Sequence, residues 1–139
     1  MRKIILKAFL ILLFCLSLFS CKKKIDEAHM PQFIGYWYCP PGTFSAYGYV
    51  INIENNSNGT YQMFLGTQVI NTIQGTARAS DKKLKIGWIH SFDITELPQK
   101  LDTASSTIFV PIAPGSFTDT IKANWIMSLA DVNYYKADY

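Results

Sequence analysis

The sequence predicts an all-β domain of about eight antiparallel strands, preceded by an N-terminal leader. Apolar and polar residues alternate with a period of two in several runs, most clearly over 47–53 and 117–129. Short turns rich in Asn, Gly, Ser and Asp separate these runs, and no segment after the leader has a convincing helical period. Consecutive antiparallel strands with one buried face form a meander, so we expect a small barrel, with a β-sandwich as the alternative.

The first hairpin has the strongest signal. Tyr47, Tyr49, Ile51 and Ile53 alternate with more polar or smaller residues, and a second alternating run follows at 61–65. Between them, residues 55–59 read Asn-Asn-Ser-Asn-Gly, and Asn and Gly tolerate the positive φ angles of tight hairpin turns. The remaining strands are predicted at 69–76, 84–88, 91–95, 107–112, 117–129 and 132–136. Gly75 indicates a bulge or bend within its strand, and residues 96–106 are predicted to be a loop or a short helical turn.

The leader has the layout of a secretory signal peptide. Arg2, Lys3 and Lys7 precede the apolar stretch 8–16, and small residues follow it. Signal peptides carry an apolar region of roughly 7–15 residues, whereas a membrane-spanning helix needs about 20. We therefore expect residues 1–20 to form a signal helix that is removed by cleavage after residue 20.

Leu18, Phe19 and Ser20 immediately precede Cys21, and this sequence resembles the lipobox of bacterial lipoproteins. The resemblance implies cleavage by lipoprotein signal peptidase before Cys21, which then carries a diacylglycerol thioether and an N-linked acyl chain such as palmitate. Several acyl chains anchor a protein stably to a membrane. Lys22 stands where the inner-membrane retention signal would place Asp, so the resemblance implies the outer membrane, with the domain facing the periplasm or the cell surface.

Removal of the leader changes the charge and the cysteine inventory. The chain has 13 Lys and Arg; Arg2, Lys3 and Lys7 leave with the leader, so 10 remain against 10 Asp and Glu. The mature chain is therefore about neutral, and it has no basic stripe of the kind that binds nucleic acid. With Cys15 removed and Cys21 acylated, only Cys39 remains, and we expect it to be a small buried hydrophobic residue. Residues 21–32 are predicted to be a flexible polar tether, and residues 33–139 the β-domain.

Gly35 and Trp37 open the first strand of that domain as a Gly-X-Trp triplet, which is similar to the start of lipocalin and related calycin barrels. In that family the Trp plugs one end of the barrel and the interior holds a small ligand, and the resemblance implies these roles here. The domain of about 110 residues is short for a lipocalin. An eight-stranded barrel is just wide enough for side chains or for one small ligand, so a fully packed core is the alternative.

Catalytic and metal-binding constellations are weak in this sequence. His29 lies in the predicted tether, and His90 has only Asp93 as a close potential co-ligand, so we expect no metal. The carboxylates Asp93, Glu96 and Asp102 lie in or beside a polar loop, where solvated charge is usual. Neither a phosphate-binding Gly-rich loop nor a Gly-X-Ser-X-Gly elbow is present. We therefore expect a protein that is not an enzyme and needs no cofactor.

Two surface features remain as candidates. Phe44 and Tyr47 lie on a Pro- and Gly-containing loop after the first strand, where aromatic side chains can bury area against a partner or a ligand, or fold back to cap the core. Asp102-Thr103-Ala104 resembles an O-glycosylation acceptor of some Gram-negative bacteria, which implies modification of Thr103. We expect a membrane-anchored domain that binds a small apolar ligand or an envelope protein; the alternative is an accessory component of an envelope complex.

Overall fold

The computed structural model describes residues 23–41, 46–66, 68–101, 106–110 and 119–137, and these form an all-β domain. A single 3₁₀ turn, Pro31–Phe33, follows the first short strand in this part of the chain. The signal helix predicted for residues 1–20 lies outside the described ranges. The strands are β1 (Lys23–Lys24), β2 (Gly35–Cys39), β3 (Tyr47–Ile53), β4 (Asn58–Leu65), β5 (Gln68–Ala79), β6 (Lys83–Ile86), β7 (His90–Lys100), β8 (Ser106–Val110), β9 (Asp119–Ala123), β10 (Trp125–Leu129) and β11 (Val132–Lys136).

Eight of these strands close into an antiparallel barrel, which confirms the predicted fold class and selects the barrel over the sandwich. Their order around the barrel is β5-β4-β3-β2-β11-β10-β7-β6, and β6 pairs back onto β5. Strands β2 to β7 follow one another as a meander. The pair β8–β9 is a separate two-stranded ribbon inserted between β7 and β10.

The boundaries of β7, β9 and β10 differ from the sequence prediction. The long strand predicted at 117–129 is divided into β9 and β10 at Asn124, whose backbone bonds to Lys136 and Leu101 rather than continuing a ladder. The loop predicted from residue 96 starts later, because β7 continues to Lys100. Pro98 is accommodated in β7 by a bulge: Glu96 pairs with Ser128 and Gln99 with Ile126, so two residues of β7 oppose one of β10.

The twelve-residue strand β5 pairs with β4 and with β6, and this double pairing closes the barrel. Its first part pairs with β4 as far as Thr76, and its last three residues, Ala77–Ala79, pair with β6. Gly75 lies at this transition, where the chain passes against Gly87: a Cβ on Gly75 would lie 2.5 Å from the Gly87 Cα. The predicted bend at Gly75 therefore corresponds to a close backbone crossing that only glycine permits.

The segment predicted to be a tether at 21–32 is packed on the barrel from residue 23 onward. Strand β1 pairs with the end of β5, and the Ile25 amide donates a hydrogen bond to the Ala77 carbonyl at 3.1 Å. Ile25 and Phe33 are fully buried, because both apolar side chains enter the main core. The charged residues around Ile25 indicated a solvated tether, whereas the packed part of the chain begins about ten residues earlier than the predicted domain start at residue 33.

Side chains that alternate inward along the strands build one core, which places a possible site inside the barrel. Trp37, Ile51, Leu84, Ile86 and Met127 are each fully buried in it. A smaller apolar cluster lies on the opposite, outer side of β2, β3 and β4, formed by Tyr38, Val50, Phe64 and Ala123. Ala123 is the last residue of β9, so the inserted ribbon ends against this outer wall.

Candidate functional site

An aromatic cluster spans the barrel interior between β4 and β7, two strands that are not neighbours in the sheet. The Tyr61 ring lies 5.0 Å from the His90 ring and 5.2 Å from the Phe92 ring, measured between centroids. Tyr49 stacks on the other side of Tyr61 at 6.0 Å. His90 faces inward because it pairs with the buried Ile86, and its environment is aromatic and apolar.

The interior is not packed equally on all sides. Trp37, Leu84 and Met127 are fully buried, whereas the inward-facing residues Tyr49, Ile73, His90, Phe92 and Ile94 are only partly buried. An inward-facing side chain in a closed barrel retains accessible surface at an open end of the barrel or where solvent enters the interior. The barrel is therefore solidly packed around Trp37 and accessible beside the aromatic cluster.

Three ionisable groups of this interior, Cys39, Tyr61 and Tyr134, have raised pKa values. Burial raises the pKa of the Cys39 thiol to about 11. Burial, together with the neighbouring Tyr49 and Cys39, raises the pKa of Tyr61 to about 12. Burial also raises the pKa of Tyr134 far above its ordinary value. A Cys with a raised pKa is a poor nucleophile at neutral pH, so this cluster suits an uncharged ligand better than covalent catalysis.

The end of the barrel at Gly35 and Trp37 is closed by the preceding segment. The Trp37 indole Nε1 donates a hydrogen bond to the Phe33 carbonyl at 2.8 Å, and Trp37 is fully buried. The Lys136 ammonium donates to the carbonyls of Gln32 (3.1 Å) and Ile34 (2.9 Å). Gly35 has a φ of +117°, and a Cβ there would lie 2.9 Å from the Lys136 Cδ, so this position requires glycine.

The outer surface carries a feature that the sequence reasoning missed. The alternation of Leu84, Ile86 and Trp88 predicted a shared face, but Gly87 has a φ of +65° and turns the chain. Trp88 and Ile89 therefore lie at the tip of the β6–β7 hairpin, 94% and 91% exposed. Gly87 was the signal that could have shown the strand ending early.

Two open cavities lie beside this hairpin, on the outside of the barrel. One, of about 360 Å³, is lined by Thr76, Arg78, Lys85, Gly87 and Trp88. The other, of about 420 Å³, is lined by Glu54, Asn58, Gly59, Thr60, Gln74 and Gly75. Both are lined by residues of β5 close to the point where it passes from β4 to β6, so the strand exchange that closes the barrel also shapes its outer surface.

The polar residues considered for catalysis or metal binding are not brought together. Asp93 faces outward and pairs with Lys83 at 2.8 Å, whereas His90 faces inward. His29 Nδ1 lies 3.0 Å from Asp26 on the surface, where this interaction lowers the pKa of the Asp26 carboxyl. Glu96 accepts a hydrogen bond from Ser128 at 3.3 Å. Within the described ranges, no three His, Cys, Asp or Glu side chains converge as a metal site.

The remaining predicted positions divide into two groups. Tyr47 opens β3 and is 37% exposed, so one aromatic residue of the predicted loop is available at the surface. The other predicted positions, which are Leu18, Phe19, Ser20, Cys21, Phe44, Asp102 and Thr103, lie outside the part of the chain that the structure describes.

Among the residues placed by the structure, no helix has the length and apolar character needed to cross a membrane. Comparison with protein-family models, with curated proteins and with solved structures finds no match for this chain. The geometry of the barrel and of its outer surface is therefore the basis for a functional assignment.

Proposed function

We propose that this protein is an outer-membrane lipoprotein whose non-catalytic, lipocalin-like barrel binds a small apolar ligand in the accessible part of its interior. The lipobox-like residues 18–21 support the anchor, with Cys21 as the acylated position. Strand β1 begins at Lys23, and two residues span at most about 7 Å. Such an anchor would hold the barrel directly against the bilayer.

The partial exposure of the inward-facing aromatic cluster is the observation that carries the ligand proposal. An eight-stranded barrel has room for one small ligand only where side chains do not fill it. Phe92 and Ile73 supply apolar surface there, while Tyr49 and His90 supply polar edges that can orient a ligand. The ligand class is a small uncharged molecule with a largely apolar body.

A second candidate is an accessory role in an envelope protein complex, which the β4–β5 hairpin favours. Leu65, Val69 and Ile70 are 46%, 39% and 48% exposed near its turn, and Val69 lies beside its pair partner Phe64 on the outer face. Exposed contiguous apolar residues often mark a protein interface. In this role the barrel would be a rigid support and its interior would bind nothing.

Binding of the neutral fluorescent probe N-phenyl-1-naphthylamine separates the two candidates. Ile73→Trp places a large ring in the interior, since Ile73 pairs with Tyr61 and packs against the core. Thr72→Trp adds a ring to the exposed face of the same strand and is the matched control. We expect Ile73→Trp to abolish probe binding and Thr72→Trp to retain it. Equal binding by both variants, or none by the parent protein, would overturn the ligand proposal.

Native mass spectrometry of the protein extracted from its own membrane tests the anchor and the ligand together. We expect a chain that starts at Cys21, carries the mass of its acyl groups and retains a small copurified molecule. A chain with an intact leader and an unmodified Cys21 would overturn the lipoprotein assignment. A stoichiometric protein subunit in place of a small molecule would favour the accessory role.

A further inference from the structure

Three cations form a row across the outer face of β1, β5 and β6, which we call the cationic row: Lys24, Arg78 and Lys85. Arg78 lies directly opposite Lys24 on one side and opposite Lys85 on the other. Directly paired residues of antiparallel strands project from the same face of the sheet. Their neighbours Ile25, Ala77 and Ile86 are buried, so the cationic row points away from the barrel.

The tip of the β6–β7 hairpin adjoins this row. Trp88 lines the same 360 Å³ cavity as Arg78 and Lys85, and Ile89 follows it at the tip. On this wall Asp93 is paired with Lys83 at 2.8 Å and compensates that lysine rather than the row, and Asp26, two residues after Lys24, interacts with His29 at 3.0 Å. Asp81 and Lys82 lie together in the β5–β6 turn, where their opposite charges balance. The face therefore combines net positive charge with two almost fully exposed apolar side chains.

We propose that this face docks on an anionic phospholipid surface, with Trp88 and Ile89 inserted at the membrane interface and the cationic row against lipid phosphates. Tryptophan favours the interfacial region of a bilayer, where its apolar ring and its N–H group are both accommodated. Basic residues at an anionic membrane surface strengthen binding by charge complementarity. If Trp88 and Ile89 faced only water, nothing would offset the free-energy cost of hydrating their apolar surface.

The position of β1 gives the docking face a second connection to the membrane. Lys24 is the third residue after Cys21, so an anchor on Cys21 would approach the bilayer at one edge of this face. Trp88 lies at the other edge, beyond β5 and β6. Attachment at both edges would fix the orientation of the barrel, and this part of the inference rests on the proposed lipid anchor.

Vesicle co-sedimentation tests docking without the anchor. The described barrel closes within residues 23–137, so a chain that begins at residue 21 with Cys21→Ser keeps every described contact. We expect it to bind vesicles of phosphatidylcholine with phosphatidylglycerol, to bind pure phosphatidylcholine much less, and to be released by salt.

Substitutions in the docking face should weaken binding to the anionic vesicles. Trp88→Ala should weaken it by at least about tenfold, and Lys85→Gln by about fivefold. Leu65→Ala, an exposed apolar residue on β4, and Lys122→Gln, on β9, are the matched controls and should change little.

The depth of Trp88 is measured on the acylated protein in vesicles that contain brominated lipid. We expect the lipid to quench tryptophan fluorescence, and Trp88→Phe to remove that quenching while the buried Trp37 keeps its emission. Failure of the Cys21→Ser chain to bind anionic vesicles, or equal binding by Trp88→Ala, would overturn docking even if Cys21 is acylated. Binding by a protein whose native Cys21 proves unmodified would overturn the anchor and leave docking supported.

Discussion

The ammonium group of Lys136 lies 4.8 Å from the centre of the Trp37 indole ring at the closed end of the barrel. The same group lies 4.6 Å from the Trp125 ring and donates hydrogen bonds to the carbonyls of Gln32 and Ile34. Lys136 is 8% exposed, so these interactions operate away from bulk water. One side chain of the last strand thus joins the N-terminal segment to two tryptophans of the barrel.

Replacing Lys136 with Met should destabilise the fold by about 2–4 kcal/mol, because the cation–π contacts and two hydrogen bonds are lost while the apolar stem is kept. Urea unfolding followed by circular dichroism measures the change. Lys82→Met, in an exposed turn, is the matched control and should stay within about 0.5 kcal/mol of the parent. Equal stability of the two variants would show that the Lys136 contacts contribute nothing net.

Gly75→Ala should destabilise the barrel by about 2 kcal/mol or more, because its Cβ would lie 2.5 Å from a backbone atom that cannot move aside. The clash lies where β5 stops pairing with β4 and begins pairing with β6, so the substitution would strain the closure of the barrel. Gly66→Ala is the control, since a Cβ at Gly66 has nothing within 4 Å and only its φ of +58° opposes the change. Thermal unfolding should rank Gly75→Ala well below Gly66→Ala, and the reverse order would contradict the crossing geometry.

The period-two pattern was sufficient to predict an antiparallel β-domain, with a barrel as the first expectation, because most strands have one solvent-facing and one buried face. Along β3, Ile51 and Ile53 are buried in the core, and the turn at 55–59 separates β3 from β4 as its Asn and Gly content predicts. The sequence also predicted that Cys39 would be buried, which the structure shows. Local alternation and turn chemistry thus determine this part of the architecture.

Features that depend on contacts between distant residues could not be predicted in the same way. Ile25 is buried because β1 reaches the far end of β5, and nothing near Ile25 in the sequence indicates this. The strand predicted at 91–95 continues through Pro98 to Lys100, because a bulge opposite Met127 accommodates the proline. Arg78 and Lys85 form a row with Lys24 only through barrel closure, so the docking face has no contiguous motif.

The fold should lose stability as the pH rises from about 9 to about 12, because Cys39 and Tyr61 have raised pKa values of about 11 and about 12 in the folded state. In that range the unfolded chain has released protons that the native chain still holds, so the free energy of unfolding falls with increasing pH. Tyr134, whose pKa is also raised by burial, adds to the same trend. Urea unfolding at a series of alkaline pH values measures the slope.

Tyr134→Phe should make that alkaline slope shallower, since it removes one buried group that resists deprotonation. Tyr36→Phe is the matched control because Tyr36 is 45% exposed, whereas Tyr134 is 4% exposed. A slope that is unchanged by Tyr134→Phe would contradict a contribution from this residue.

Cys39 should resist alkylation in the folded protein. Its side chain is 5% exposed, and its raised pKa of about 11 leaves very little thiolate at neutral pH, although the thiolate is the reactive form. In the proposed mature protein, Cys21 is acylated and Cys15 is removed, so labelling by N-ethylmaleimide reports on Cys39 alone. We expect no added mass under native conditions and one adduct in urea.

Two variants test which part of the packing protects Cys39. Phe64→Ala creates a cavity in the outer cluster, to which Cys39 does not belong, and should leave the protection intact at low denaturant. Trp37→Phe changes the core that contains Cys39 and should accelerate labelling. Rapid labelling of the native parent protein would show that the Cys39 side of the barrel opens to solvent far more readily than its packing implies.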